Sequence, residues 1–185
     1  MSDDNDYTAL FVPPSTQDYV EGVLSATVVL VMYGNYQSTQ SADVYRLIRV
    51  VRRQLSVSLG DNYSCFIFRH FPKIESHHHA RRASEAAEAA AVQGQFWQMH
   101  DTLFEHQQEL ENGYLVEYAN RLRLDIPQFL QDMSKQSYLN RINEDIEGGL
   151  SSGVTAAPAL FINGTRYVDR WNIDRLMAAI AAASR

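Results

Sequence analysis

The residues best placed to do chemistry in this chain are two serines three positions apart, in the run Tyr36-Gln37-Ser38-Thr39-Gln40-Ser41. They stand where an extended apolar segment gives way to a helical pattern. A hydroxyl there can accept a backbone N–H as a helix cap or donate to an anion. It is not a ready nucleophile. An alcohol is a far weaker acid than a thiol, and a helix terminus contributes at most ~2 kcal/mol, roughly 1.5 pKa units, toward its anion. The sequence shows no base for Ser38, so a serine hydrolase finds little support.

Other reactive residues are sparse. Cys65 is the sole cysteine, which excludes an intramolecular disulfide, a multi-cysteine zinc site and a two-thiol redox centre within one chain. Its place in an apolar segment predicts burial, which raises a thiol's pKa. His77-His78-His79 would point about 100° apart on a starting helix, so the run reads as a solvated turn and not as a metal site. His100 falls on an apolar stripe with Phe96 and Phe104, and His70 ends a strand; both read as hydrogen-bonded structural residues. Arg46, Arg49, Arg52 and Arg53 share the polar side of one helix, where they could receive an acidic partner or a phosphate; a solvated face is the plainer reading. The formal charge of −6 argues against a broad nucleic-acid-binding surface.

The elements that position these residues follow from periodicity. At 185 residues, with 45% hydrophobic and 21% charged, the chain has the balance of one globular domain and excludes collagen-like repeats and wholesale disorder. Thr27 to Tyr33 is continuous and β-branched, as expected of a strand buried on both faces. Val44, Leu47, Ile48, Val51 and Leu55 then recur at helical spacing, with Ser38 or Ser41 as the cap. A second strand, Cys65 to Phe71, stops at Pro72, and strand-helix-strand implies a right-handed parallel crossover. From about 75 to 150 the pattern is helical, with a stop at Gly94, a cap at Asp125 and an end at Gly148-Gly149. Asn163-Gly164 joins strands Ala159–Ile162 and Thr165–Val168, and Asn172 caps a last helix. Residues 1–17 read as a flexible arm. The acidic start lacks the basic residues of a secretory signal and Ala26 to Tyr33 is too short to span a bilayer, so a cytoplasmic location with no membrane partner is expected.

The order βαβ, helical insert, ββα resembles the thioredoxin arrangement. Four local stretches resemble the DsbA-like branch of thioredoxin-fold thiol-disulfide oxidoreductases: Tyr33-Gly34-Asn35-Tyr36-Gln37, Phe68-Arg69-His70-Phe71-Pro72, Gln93-Gly94-Gln95-Phe96-Trp97 and Gly153-Val154-Thr155-Ala156-Ala157-Pro158. The likeness runs from about Asp18 to Ala182. It implies an α/β, thioredoxin-like fold in one domain over 18–185, with a helical insertion at about 75–150.

The family's chemistry rests on Cys-x-x-Cys at a helix start, where the helix stabilises a thiolate. Here those positions read Ser38-Thr39-Gln40-Ser41, the usual intervening proline is absent, and Ala157 precedes the presumed cis-proline, Pro158. Serine forms no disulfide, so thiol exchange through this motif is closed. The resemblance leaves the groove between Tyr36–Ser41 and Ala157-Pro158 as the functional surface. In the family the backbone before that proline pairs with bound peptide as a strand would. The expected ligand is a peptide, a protein or a small thiol, and no cofactor is expected. Two alternatives stand beside this reading. Kappa-class glutathione transferases and chromene-carboxylate isomerases are similar to the DsbA branch and use serine at this helix start, which implies glutathione as ligand or substrate with Ser38 stabilising its thiolate. Otherwise Ser38 stands where the gene encodes cysteine, and the chain is a monothiol disulfide oxidoreductase with Ser41 in the second position.

Overall fold

The computed structural model describes residues 9–72 and 77–185. Its sheet has five strands, β1 (Tyr19–Glu21), β2 (Val28–Gly34), β3 (Ser64–His70), β4 (Ala159–Ile162) and β5 (Thr165–Arg166), in the order β1-β3-β2-β4-β5. The central place of β2 explains its run of Val, Leu and Met, since neighbours on both edges and layers on both faces leave no position for a polar side chain. β2 and β3 are parallel with Gly34 opposite His70, and β4 returns antiparallel with Ala159 opposite Tyr33. The fold is thus thioredoxin-like, a mixed sheet covered by helices.

Seven helices complete the described chain: α1 (Thr39–Leu59), α2 (Ala80–Val92), α3 (Phe96–Glu105), α4 (Asn112–Arg121), α5 (Ile126–Lys135), α6 (Leu139–Ser151) and α7 (Ile173–Ala183). One face of the sheet presents Leu30, Met32, Phe66 and Phe68 to a large core shared with α1, the inserted helices and α7. The other presents Val31, Tyr33, Ile67 and Phe161 to a smaller cluster that includes Phe71 and Val154. Alternate residues of each strand serve the two cores, as period-two geometry requires.

Three features differ from the reading of the pattern. β1 is additional: three half-buried residues, Tyr-Val-Glu, carry no alternation that marks a strand. The expected flexible arm is held over its described part. Ala9 bridges to Thr165, Leu10 donates its N–H to Gly164 O at 2.8 Å, and Phe11 donates to Ser152 Oγ at 2.9 Å. The Arg69 guanidinium, 3% exposed, donates to Val12 O and Pro13 O and forks onto the Asp18 carboxylate at 2.8 and 3.1 Å. Residues 1–8 of that arm lie outside the described residues. Finally, Gly148 and Gly149 do not end their helix, which continues to Ser151. A Cβ on Gly149 would lie 2.9 Å from the Phe71 ring, and one on Gly148 would lie 3.1 Å from Val12 Cγ2. These glycines admit close neighbours rather than stop the helix.

The Asn163-Gly164 turn behaves as its composition demands. Both residues have positive φ, 48° and 81°, the geometry of a two-residue hairpin loop. Asn163 also accepts the Val29 N–H and donates to Thr27 O and Ala183 O, tying the turn to the start of β2 and the end of α7.

Candidate functional site

The C-terminal end of β2 delivers the chain into the loop Asn35–Ser38, and everything at the site is built on how that loop is held. Ser38 is extended (φ −87°, ψ 118°) and is the N-cap of α1. Its Oγ accepts the Ser41 N–H at 3.2 Å, and Ser41 Oγ in turn accepts the Asn35 N–H at 3.2 Å. The two serines therefore belong to one small hydrogen-bonded ring. Ser41 is fully buried and Ser38 is 8% exposed, while Thr39 and Gln40 face solvent on the first turn.

The loop is fastened from the helical insertion as well. Gln107, just after α3, donates its carboxamide to Tyr36 O at 2.7 Å and to Ser38 O at 2.8 Å. The Asn35 side chain contacts His77 Nδ1 at 2.9 Å and accepts the Gln37 N–H, and Gln37 Oε1 accepts the His79 N–H. His77-His78-His79 forms the turn leading into α2. Among the described residues no group of three or more His, Cys, Asp or Glu could hold a metal ion. Gln107 carries no signal in the sequence and Asn35 stands there only within the stretch Tyr33–Gln37, because a lone amide off any apolar stripe gives no periodic signal.

Tyr36 is the loop's anchor in the core. Its ring is fully buried against Phe68 and Phe104, and its hydroxyl lies 2.8 Å from His100 Nδ1. Burial holds the His100 imidazole well below the ordinary histidine range, with His70 and Arg49 adding to the effect, so the ring is neutral at physiological pH. Burial also pushes the Tyr36 phenol well above its usual value. The neutral phenol and the neutral imidazole thus share one hydrogen bond. Tyr36 shapes the loop from beneath rather than lining an open groove.

On the opposite side, the Tyr33–Ala159 register places residues 153–158 at the same end of the sheet as the start of α1. The Ala157–Pro158 peptide bond is cis. Thr155 and Ala156 are exposed and Ala157 is half-buried. Among the described residues the N–H and C=O groups of Thr155, Ala156 and Ala157 make no hydrogen bond, whereas Val154 N donates to Gly149 O at 2.9 Å. A stretch of main chain with unspent donors and acceptors thus stands beside the capped helix start.

Cys65 lies elsewhere. It pairs with Val29, five positions before Gly34 along β2, about 16 Å from the α1 end of the sheet. It is fully buried, and burial pushes its thiol up, against a smaller opposing effect of Arg52. Among the described residues no base touches Ser38, whose Oγ has Ser41 N as its partner.

A family model described as Thioredoxin matches residues 15–182. The chain belongs to the thioredoxin family. In the solved structures its likeness is to DsbA-like proteins: BdbD from Bacillus subtilis in its oxidised form (TM-score 0.77, 19% identity, 96% of this chain and 98% of that chain), a thioredoxin-like oxidoreductase from Silicibacter pomeroyi (0.76, 18%, 91% and 93%), and the thiol-disulfide exchange protein alpha-DsbA2 from Wolbachia pipientis (0.73, 17%, 90% and 87%). At such identities the likeness is one of fold. Among curated proteins the chain is 36% identical over 168 residues to Na(+)/H(+) antiporter NhaA 3 of Salinispora tropica and 37% identical over 167 residues to Na(+)/H(+) antiporter NhaA 1 of Salinispora arenicola. Each alignment covers 90% of this thioredoxin-family chain and 25% of the antiporter, so the chain spans about a quarter of these relatives. No helix of the described residues is long and apolar enough to cross a membrane.

Proposed function

We propose that this thioredoxin-family chain is a redox-inactive binding module that takes an extended peptide against residues 155–157, beside the capped start of α1. The observation that carries this reading is the main chain before Pro158, whose donors and acceptors have no partner among the described residues. Exposed backbone donors and acceptors are what an added strand uses, and they do not depend on sulfur. The serines at 38 and 41 remove electron transfer without removing this surface. The likeness to antiporters suggests a segment of a membrane transporter as one client.

Titration with an unfolded, cysteine-free peptide tests the proposal. Saturable binding that survives Ser38→Ala and falls on Ala157→Pro, which deletes the N–H, supports it; no binding overturns it. A glutathione-dependent transferase or isomerase is the second reading, favoured by a Ser38 hydroxyl that accepts one hydrogen bond and keeps its proton free to donate to a thiolate. Saturable glutathione binding lost on Ser38→Ala would establish that reading instead. Insulin reduction by the product of the unmodified gene would point to a monothiol oxidoreductase with cysteine encoded at position 38.

A further inference from the structure

On the outer side of α1, away from the Ser38 loop, Arg49, Arg52, Arg53 and Ser56 follow the i, i+3, i+4, i+7 spacing of one helix face. They line a recess of about 350 Å³ whose other walls are Glu21, Asp61 and Ser64. We propose that this recess is a binding site for a phosphate group.

The charges are already sorted for such a ligand. The two carboxylates in the walls are engaged: Glu21 by Arg52, and Asp61 by the Ser56 hydroxyl. Arg52 is anchored further by donating to Glu21 O at 2.9 Å, which fixes one guanidinium in the floor, while its buried Nε has no partner. Arg49 lies over the Tyr45 ring at 5.7 Å and reaches Asp101 only at 3.5 Å across solvent, a contact worth little. Arg53 is exposed and forms no ion pair among the described residues. Two exposed guanidinium forks therefore flank a half-buried, anchored one. The lining holds three arginines and two carboxylates, with Asp101 beside Arg49 at its edge, so Arg53 is the cation that has no ion-pair partner among the described residues. A phosphate offers several acceptor oxygens and two charges, matching paired guanidinium forks better than a monovalent carboxylate does.

The test titrates the full chain with inorganic phosphate, holding ionic strength constant with chloride, and follows binding by calorimetry and NMR. The site predicts saturable binding with one phosphate per chain and shifts confined to residues around Arg49, Arg53 and Ser56. Arg53→Gln should weaken it about tenfold or more, as loss of a charge-assisted hydrogen bond does. Arg46→Gln, on the same helix but outside the recess and paired with Asp43, should leave it unchanged. A second arm uses phosphatidylcholine vesicles with and without phosphatidic acid. Capture by the acidic vesicles, lost in Arg53→Gln, identifies a lipid headgroup as the source; binding of soluble phosphate alone identifies a free phosphate. The proposal fails if neither arm shows saturable binding, or if Arg46→Gln and Arg53→Gln behave alike. A peptide titration on the same variants keeps its outcome separate from that of the groove.

Discussion

At the start of α1 the Ser38 hydroxyl satisfies the Ser41 N–H, one of the donors a helix end leaves without an internal partner. Ser38→Ala should lower the stability of the chain by about 1 kcal/mol, read as a shift in the urea midpoint with an unchanged slope, and Ser38→Asp should restore most of it. The same position tests the ancestry of the site. In a Ser38→Cys/Ser41→Cys double variant the thiol at the helix start should titrate below the ordinary cysteine value of about 8.5, seen in thiolate absorbance, and insulin reduction should appear. Neither single variant should form an intramolecular disulfide at this site. How far these roles were legible in the sequence varies with the residue. The apolar stripe beginning at Val44 left the cap open between Ser38 and Ser41, and the structure gives it to Ser38. The bonds from Gln107 and Asn35 were not legible, because they join residues far apart in the chain or in a turn with no repeating pattern.

Among the elements, α6 shows where local rules and packing part company. A Gly-Gly pair near a helix end reads as a stop, yet both residues continue the helix, and Phe71 and Val12 occupy the space their side chains would need. Helix propensity alone would make Gly149→Ala stabilising by about 1 kcal/mol. With Phe71 buried and its ring 2.9 Å from the new Cβ, the change should instead destabilise by about 1–3 kcal/mol, measured by chemical denaturation. The long, strongly patterned elements were legible: β2, β3 and the hairpin at Asn163-Gly164 stand within a residue or two of their expected bounds, except that β5 is shorter, and α1 contains its expected stripe but runs on to Leu59. β1 was not, since three residues with a charged end are too few to declare a period.

At the scale of the molecule, the insertion and the sheet are joined through buried ionisable groups. Glu88 on α2 accepts from the Tyr19 hydroxyl at 2.6 Å and meets His70 Nε2 at 2.8 Å, with Arg141 of α6 at 4.0 Å. Burial pushes the Glu88 carboxyl up, but these partners outweigh it and hold the group below the usual carboxylate value. Its contribution is therefore present above the unfolded carboxylate pKa of about 4.3 and is lost as the pH falls through the lower folded value. Asp145 acts in the opposite sense, because burial raises its carboxyl and protonation relieves the folded state. The depressed imidazole of His100 adds a loss at milder acidity. The unfolded chain takes up a proton there that the folded chain refuses, so stability should begin to fall below about pH 6.5. Urea titrations between neutral pH and mild acid should show that slope in the parent chain and a flatter one in His100→Phe. Glu88→Gln should cost about 1–3 kcal/mol at neutral pH, by weakening charge-assisted bonds to groups that stay buried.

The position of Gln107 has a consequence for the chemical ageing of the protein. One carboxamide faces two main-chain oxygens, those of Tyr36 and Ser38, and its attraction to both comes from hydrogens on a single nitrogen. Slow hydrolysis of that amide to a carboxylate would set a negative charge against two electron-rich carbonyls. The lost ammonia would leave the loop pushed away from the helical insertion at its one doubly held point, and old preparations would expose Ser38 to solvent while the rest of the fold stayed intact.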